Sequence, residues 1–276
     1  VDATNGREKW RFRPERNGES FSNINRGLAY YTSSDHQIIF YGSGTFLNAV
    51  DLLTGKALIS FGDSGRINLS EGLHKPASQM SIQALAAPVI YKDIIIAGGT
   101  SWSAGANVSG FDVMTGRRKW IFHTIPHPGE YGYETWGDTS FYRTGAGVNV
   151  WGGLCVDSER GMVFFSTGQP KGDFYRPGNA GDQLYGNSIV ALDAATGKRK
   201  WHYQTIHKDL WDLDLPCAPV LVDLKYNGKA IPGVAQLSKT GNVFLFNRET
   251  GEPVSKIEER PAAASVLEGE AAAATQ

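Results

Sequence analysis

One frame recurs five times along this chain. It consists of an apolar residue, Asp or Asn, a short variable stretch, Thr-Gly or Asn-Gly, and a second apolar run that in most copies carries Trp or Phe. The copies are VDATNGREKW (Val1 to Trp10), AVDLLTGKALISF (Ala49 to Phe61), GFDVMTGRRKW (Gly110 to Trp120), SIVALDAATGKRKW (Ser188 to Trp201) and LFNRETGEPV (Leu245 to Val254). The residues before the acid read as a strand, and the Asp or Asn side chain can bond the backbone of its own turn. Gly6, Gly55, Gly116, Gly197 and Gly251 supply the positive φ that a tight reversal needs. A single hairpin of this kind buries too little to be stable, so repetition implies stacked β units. The glycines are separated by 49, 61, 81 and 54 residues, close to the length of a four-stranded propeller blade with loops of unequal size.

The remaining strand signals agree with this reading. HQIIFYG (His36 to Gly42), APVIYKDIIIAGG (Ala87 to Gly99), GGLCVDSERGMVFFSTG (Gly152 to Gly168), APVLVDL (Ala218 to Leu224) and GNVFLFN (Gly241 to Asn247) alternate or are β-branched between turn residues. Helix signals are weak throughout. Glycine, 33 of 276 residues, stands at roughly 12 percent against a typical ~7 percent and suits a turn-rich chain. We therefore expect an all-β protein, with residues 1–259 forming one propeller of about four to five four-stranded antiparallel blades. The Ala-rich stretch 260–276 is expected to be a loop or a truncated end.

A net charge of −1 without a basic stripe makes nucleic acid and anionic membranes poor partners. The longest apolar run, Ile94 to Gly99, is far shorter than the ~20 residues of a spanning helix, and a soluble chain is expected. No secretory leader is visible, and Val1 already lies inside a repeat. Cys155 and Cys217 sit in apolar contexts without metal-type spacing and read as buried thiols, a disulfide being the alternative. His123 and His127 suggest zinc by their spacing, but Pro126 and Pro128 deny them the helix that such a pair needs.

Candidate chemistry lies in the segments outside the repeat. Arg26 in SNINRGLAYY is either a surface charge or an anion clamp. Trp151, followed by two glycines in NVWGGLCVD, is either core or a flat face left free for a planar ring. Asp209, Asp212 and Asp214 in HKDLWDLDLP could bind a cation, serve as a base, or both.

Together with PGEYGYETW, STGQPKGDFYRPGNAGDQLYGNSIVALDAATG and SKTGNVFLFNRETG, these segments resemble the quinoprotein dehydrogenases that use pyrroloquinoline quinone (PQQ), in the glucose and alcohol dehydrogenase branch. The resemblance runs from Val1 to about Gly269 and implies about half of an eight-bladed propeller, with the quinone and a calcium ion (Ca2+) near the axis. Residue by residue it implies that Arg26 meets the cofactor's carboxylates, that Trp151 stacks under the quinone, that Asp209 touches calcium and acts as the base, and that Lys239 bonds the quinone oxygens. Gln169 stands where the family commonly places a calcium-ligating Asn, and Gly98 to Asp112 holds no acid before Asp112, so the calcium pocket departs from the pattern. The adjacent-cysteine disulfide of the methanol dehydrogenases is absent before Arg26.

The resemblance further implies an alcohol or sugar substrate and a quinone or cytochrome electron acceptor. It implies an exported, periplasmic location, and contact with remaining blades or self-association. The competing expectation is a propeller scaffold without a cofactor, as in outer-membrane assembly lipoproteins with similar repeats. A planar face, a clamp, a base and a cation in one chain favour the enzyme.

Overall fold

The computed structural model describes residues 1–14, 24–137, 140–172, 175, 178 and 181–276. Ser22 and Asn23 of the Arg26 segment, Asp138, and Asp173, Phe174, Arg176, Pro177, Asn179 and Ala180 of the Gly-rich segment lie outside them. Four antiparallel sheets follow one another along the chain, each ordered as its strands occur in sequence. The first contains β1 (Leu28–Thr32), β2 (Gln37–Ser43), β3 (Phe46–Asp51) and β4 (Arg66–Asn68). The second contains β5 (Val89–Tyr91), β6 (Ile94–Gly98), β7 (Asn107–Asp112) and β8 (Arg118–His123). The third contains β9 (Leu154–Asp157), β10 (Met162–Ser166), β11 (Ser188–Asp193) and β12 (Arg199–Gln204). The fourth has three strands, β13 (Val220–Tyr226), β14 (Lys229–Leu237) and β15 (Val243–Asn247). Among the described residues the only α-helix is the single turn α1 (Phe141–Thr144), and no helix is long and apolar enough to cross a membrane.

The sheets stack face to face, with their first strands neighbouring one another from sheet to sheet, as in blades arranged around an axis. The pleat explains the stacking. In β10, Val163 and Phe165 point to the core shared with the second sheet, while Met162 and Phe164 point to the core shared with the fourth. In β6, Ile94 and Ile96 face the third sheet, and Ile95 and Ala97 face the first. Strands buried on both faces read as continuous apolar runs, which accounts for IIIAG and MVFFS.

The recurring frame forms one repeated turn. Gly55, Gly116, Gly197 and Gly251 each follow the third strand of a sheet at φ of 68°, 70°, 70° and 75°, and Gly6 has the same geometry ahead of the first sheet at 73°. Each glycine N–H donates to the carbonyl of the Asp or Asn four residues earlier, at 2.8–2.9 Å. The Oδ1 atoms of Asp51, Asp112 and Asp193 accept from the N–H of Thr54, Thr115 and Thr196 at 2.7, 3.0 and 3.0 Å.

These glycines also make the contact between blades. A Cβ on Gly55, Gly197 or Gly251 would lie 2.5, 2.5 and 2.6 Å from the indoles of Trp10, Trp120 and Trp201. The aromatic that ends one copy of the frame therefore lies on the glycine of the next. Trp10 and Trp201 add indole N–H bonds to the carbonyls of Leu52 and Arg248, at 2.7 and 2.9 Å. In the second copy Phe61 turns inward against Phe40, and Ile67 takes the place on Gly116.

Residues 260–276 contain no strand. They fold back so that Arg260 and Gln276 exchange backbone hydrogen bonds at 2.7 and 2.9 Å. Both cysteines are free thiols, and burial pushes the Cys155 thiol up to about 12.

Candidate active site

A cavity of about 320 Å3 is lined by Arg26, Trp102, Trp151, Gln169, Asp212, Asp214 and Lys239, together with Leu85, Thr100, Asn149 and Gly168. Its walls come from separate loops. Arg26 precedes β1, Trp102 lies between β6 and β7, Trp151 precedes β9, and Gln169 follows β10. Asp212 and Asp214 lie between β12 and β13, and Lys239 lies between β14 and β15. All four sheets thus contribute to one site, as radial blades bring equivalent loops together.

The Trp151 indole is half-buried and forms the planar wall. The Arg26 guanidinium carbon is 5.2 Å from its ring centroid and the Lys239 ammonium is 5.7 Å away, within cation–π range. Arg26 is held by donating from Nη1 to the Trp151 carbonyl at 2.8 Å. Lys239 donates to Asp212 Oδ2 at 2.9 Å and lies 3.7 Å from Asp214 Oδ2. Asp212 also accepts from Gln169 Nε2 at 3.2 Å, and its backbone is left-handed at φ 57°, a conformation that costs a non-glycine residue energy and clusters at functional positions.

Charge is unevenly shared. Burial pushes the Asp214 carboxyl above the usual carboxylate range, and the Asp212 charge acts in the same sense; these outweigh the bonds from the Gln169 amide and Trp151 and the field of Lys239. Burial works against the Lys239 ammonium, yet its bond to Asp212 and the fields of Asp214 and Asp212 hold it above the usual lysine value.

Arg26, Trp151, Gln169 and Lys239, all expected from the sequence, line the cavity together; Asp209 does not join them. It is 1% exposed, and its carboxylate accepts from Trp211 N at 2.8 Å, Leu213 N at 2.6 Å and Asn187 Nδ2 at 2.9 Å. Two N–H groups of its own turn and the amide of Asn187 engage this acid, and the acids at the cavity are its neighbours Asp212 and Asp214. Trp211 lines a separate cavity of about 530 Å3. Trp102, which no motif marks, stands 57% exposed at the site, with Lys171 Nζ bonded to its carbonyl at 2.9 Å. Asp112, the one acid of the Gly98 to Asp112 stretch, is taken up by its turn.

The arrangement offers a planar face, two cations and an acid pair, which is what a flat polyanionic ring and a proton acceptor beside it require. The sequence matches, over residues 1–276, the family described as PQQ: Glucose/ethanol/alcohol dehydrogenase, beta-propeller domain, and the chain belongs to that family of quinoprotein propellers. It is 31% identical over 299 residues to the quinoprotein glucose dehydrogenase of Escherichia coli (strain K12), covering 100% of this chain and 37% of that protein. It is 30% identical over 308 residues to quinoprotein glucose dehydrogenase A of Acinetobacter calcoaceticus, covering 98% and 37%. Among solved structures, the quinohemoprotein alcohol dehydrogenase from Comamonas testosteroni matches with a TM-score of 0.71 at 27% identity, covering 91% of this chain and 38% of that one. The chain spans 37% of the length of the two glucose dehydrogenases.

The lining fits a planar anionic quinone in shape and in charge. For calcium the described lining fits in kind and falls short in carboxylates. Asp212, Asp214 and the Gln169 amide are oxygen donors, but calcium takes six to eight, Lys239 already lies against both acids, and no group of three or more His, Cys, Asp or Glu gathers among the described residues.

Proposed function

We propose that this chain carries the quinone-binding site of a PQQ-dependent dehydrogenase that oxidises the hydroxyl of an alcohol or an aldose. The observation that supports this reading is the convergence of Trp151, Arg26, Lys239 and the Asp212/Asp214 pair on one cavity built by loops from all four sheets. A propeller that only binds other proteins has no use for that set. An exported location belongs to the same proposal and rests on the family resemblance.

When bound, the quinone supplies an acceptor for hydride. The chain's own residues do the rest. Trp151 provides the face on which the ring lies, and Arg26 and Lys239 neutralise its carboxylates and oxygens. In place of Asp209, we assign the base to Asp212, the more accessible of the two cavity acids, with 35% of its side chain exposed against 12% for Asp214. The Asp212 carboxylate would take the proton from the substrate hydroxyl oxygen, and the carbon bearing that oxygen would give up the hydride, leaving the carbonyl product. Lys239 donates to Asp212 at 2.9 Å and so holds the carboxylate in place at the cavity.

The test is titration of the purified chain with PQQ, followed by the cofactor's absorbance, and then dye-linked oxidation of a panel of alcohols and aldoses. Wild type is expected to bind the quinone, Trp151→Ala to weaken binding at least about tenfold, a loss of ~1.4 kcal/mol, and Asp212→Asn to bind while losing turnover. A folded wild-type chain that binds no quinone would overturn the reading. Full turnover in Asp212→Asn would remove the assigned base.

A further inference from the structure

We propose that Asp214 is a positioning residue that fixes the plane of the Trp151 indole, and that its seat exists because residue 168 is glycine. The inference rests on the quinone reading for its consequence, and on geometry alone for its substance. Asp214 is 8% exposed, and each carboxylate oxygen has a partner on a different loop. Oδ2 accepts the Trp151 indole N–H at 3.0 Å, and Oδ1 accepts the Gln169 backbone N–H at 2.7 Å. The Asp214 carbonyl in turn accepts the Lys239 backbone N–H at 3.1 Å. One residue thus ties the planar wall to the loops that carry Gln169 and Lys239.

A tryptophan side chain turns about two dihedrals and has a single polar atom, so a bond at Nε1 sets the orientation of the ring. The backbone beneath it is already fixed, because a Cβ on Gly152 would lie 2.9 Å from the Cys217 backbone nitrogen. With its main chain pinned and its edge bonded, the half-buried indole keeps one face toward the cavity. Gly168 provides an independent observation. A Cβ there would lie 2.8 and 2.9 Å from the two Asp214 carboxylate oxygens, so any side chain at 168 forces the carboxylate to shift. Asp212 and Asp214 therefore divide the labour, one facing substrate and the other holding the platform.

Two readouts test this in the full chain. The first needs no quinone. The Trp151 indole N–H resonance, assigned by its disappearance in Trp151→Phe, should shift and lose protection from solvent exchange in Asp214→Ala and in Gly168→Ala, and shift less in Asp214→Asn, which keeps an acceptor. An unchanged resonance in folded Asp214→Ala overturns the proposal, and an unchanged resonance in Gly168→Ala does the same if Asp214→Ala fails to fold.

The second is a double-mutant cycle on PQQ affinity. Asp214→Ala should weaken binding about tenfold, ~1.4 kcal/mol, in the wild-type background and hardly at all in Trp151→Phe. An equal loss in both backgrounds means that Asp214 acts on the ligand directly. A loss that appears only with added calcium, and vanishes with chelator, makes it a metal ligand. Either result overturns the positioning role. A wild-type chain that binds no quinone yet shows the expected resonance changes would sink the quinone reading and leave the positioning intact.

Discussion

Replacing Asp214 by Asn keeps the size of the side chain and deletes the charge that burial resists. Because the folded chain holds that proton to higher pH than the unfolded chain does, the folded state binds more protons between the two values. Stability is then lost as pH rises from the unfolded carboxylate value, about 4, through the raised folded value, and levels off above it. Wild type should lose melting temperature relative to Asp214→Asn across that window, measured by calorimetry on both proteins in matched buffers. A wild-type-minus-variant difference that stays constant from about pH 4 to pH 7 would show that Asp214 is not raised. The site's composition was legible at this scale, because Arg26, Trp151 and Lys239 stand in short distinctive segments. The choice among three acids was not: which of Asp209, Asp212 and Asp214 reaches the cavity depends on the turn, which gives two of its N–H groups to Asp209, and on partners from distant loops. Nor could Gly168 be read as the seat of Asp214, since the two meet across 46 residues of chain.

The repeated turn was readable as an element because its requirements are local: an acid to cap, a glycine for positive φ, and strands on both sides. What the following tryptophan does was not, because its contact is with the next copy and depends on how blades stack. That difference separates two glycine substitutions with nearly equal φ. Gly6→Ala meets nothing within 4 Å and should cost only the backbone strain of a left-handed residue, about 1–2 kcal/mol. Gly197→Ala adds the same strain to a Cβ that would sit 2.5 Å from Trp120, forcing the indole off the blade contact. Overpacking adds about 1–3 kcal/mol, so its total should clearly exceed that of Gly6→Ala in urea unfolding. Equal losses at the two positions would mean that tryptophan docking contributes little to holding the blades together.

For the whole molecule, the decisive fact is that four blades wall one cavity while the chain spans 37% of its glucose dehydrogenase relatives. The cavity already contains a planar wall, two cations and an acid pair, so quinone binding is the property this chain should show by itself. Turnover asks for more. Hydride transfer gains from exclusion of water and from fixed charges on every side of the reacting atoms. Among the described residues that line the cavity the cations are Arg26 and Lys239, and Lys239 is shared with two acids. Among the described lining residues the carboxylates are two and Lys239 lies against both, so a metal Lewis acid, whose contribution elsewhere amounts to several kcal/mol, is poorly provided for. Since each ~1.4 kcal/mol is tenfold in rate, the chain reconstituted with quinone and calcium should turn over orders of magnitude more slowly than the ~10 s⁻¹ typical of enzymes. Asp212→Asn should abolish what remains. Dye-linked assays over a range of chain concentrations check both points. A rate of a few per second or more, independent of concentration and lost in Asp212→Asn, would show that four blades are enough for the chemistry.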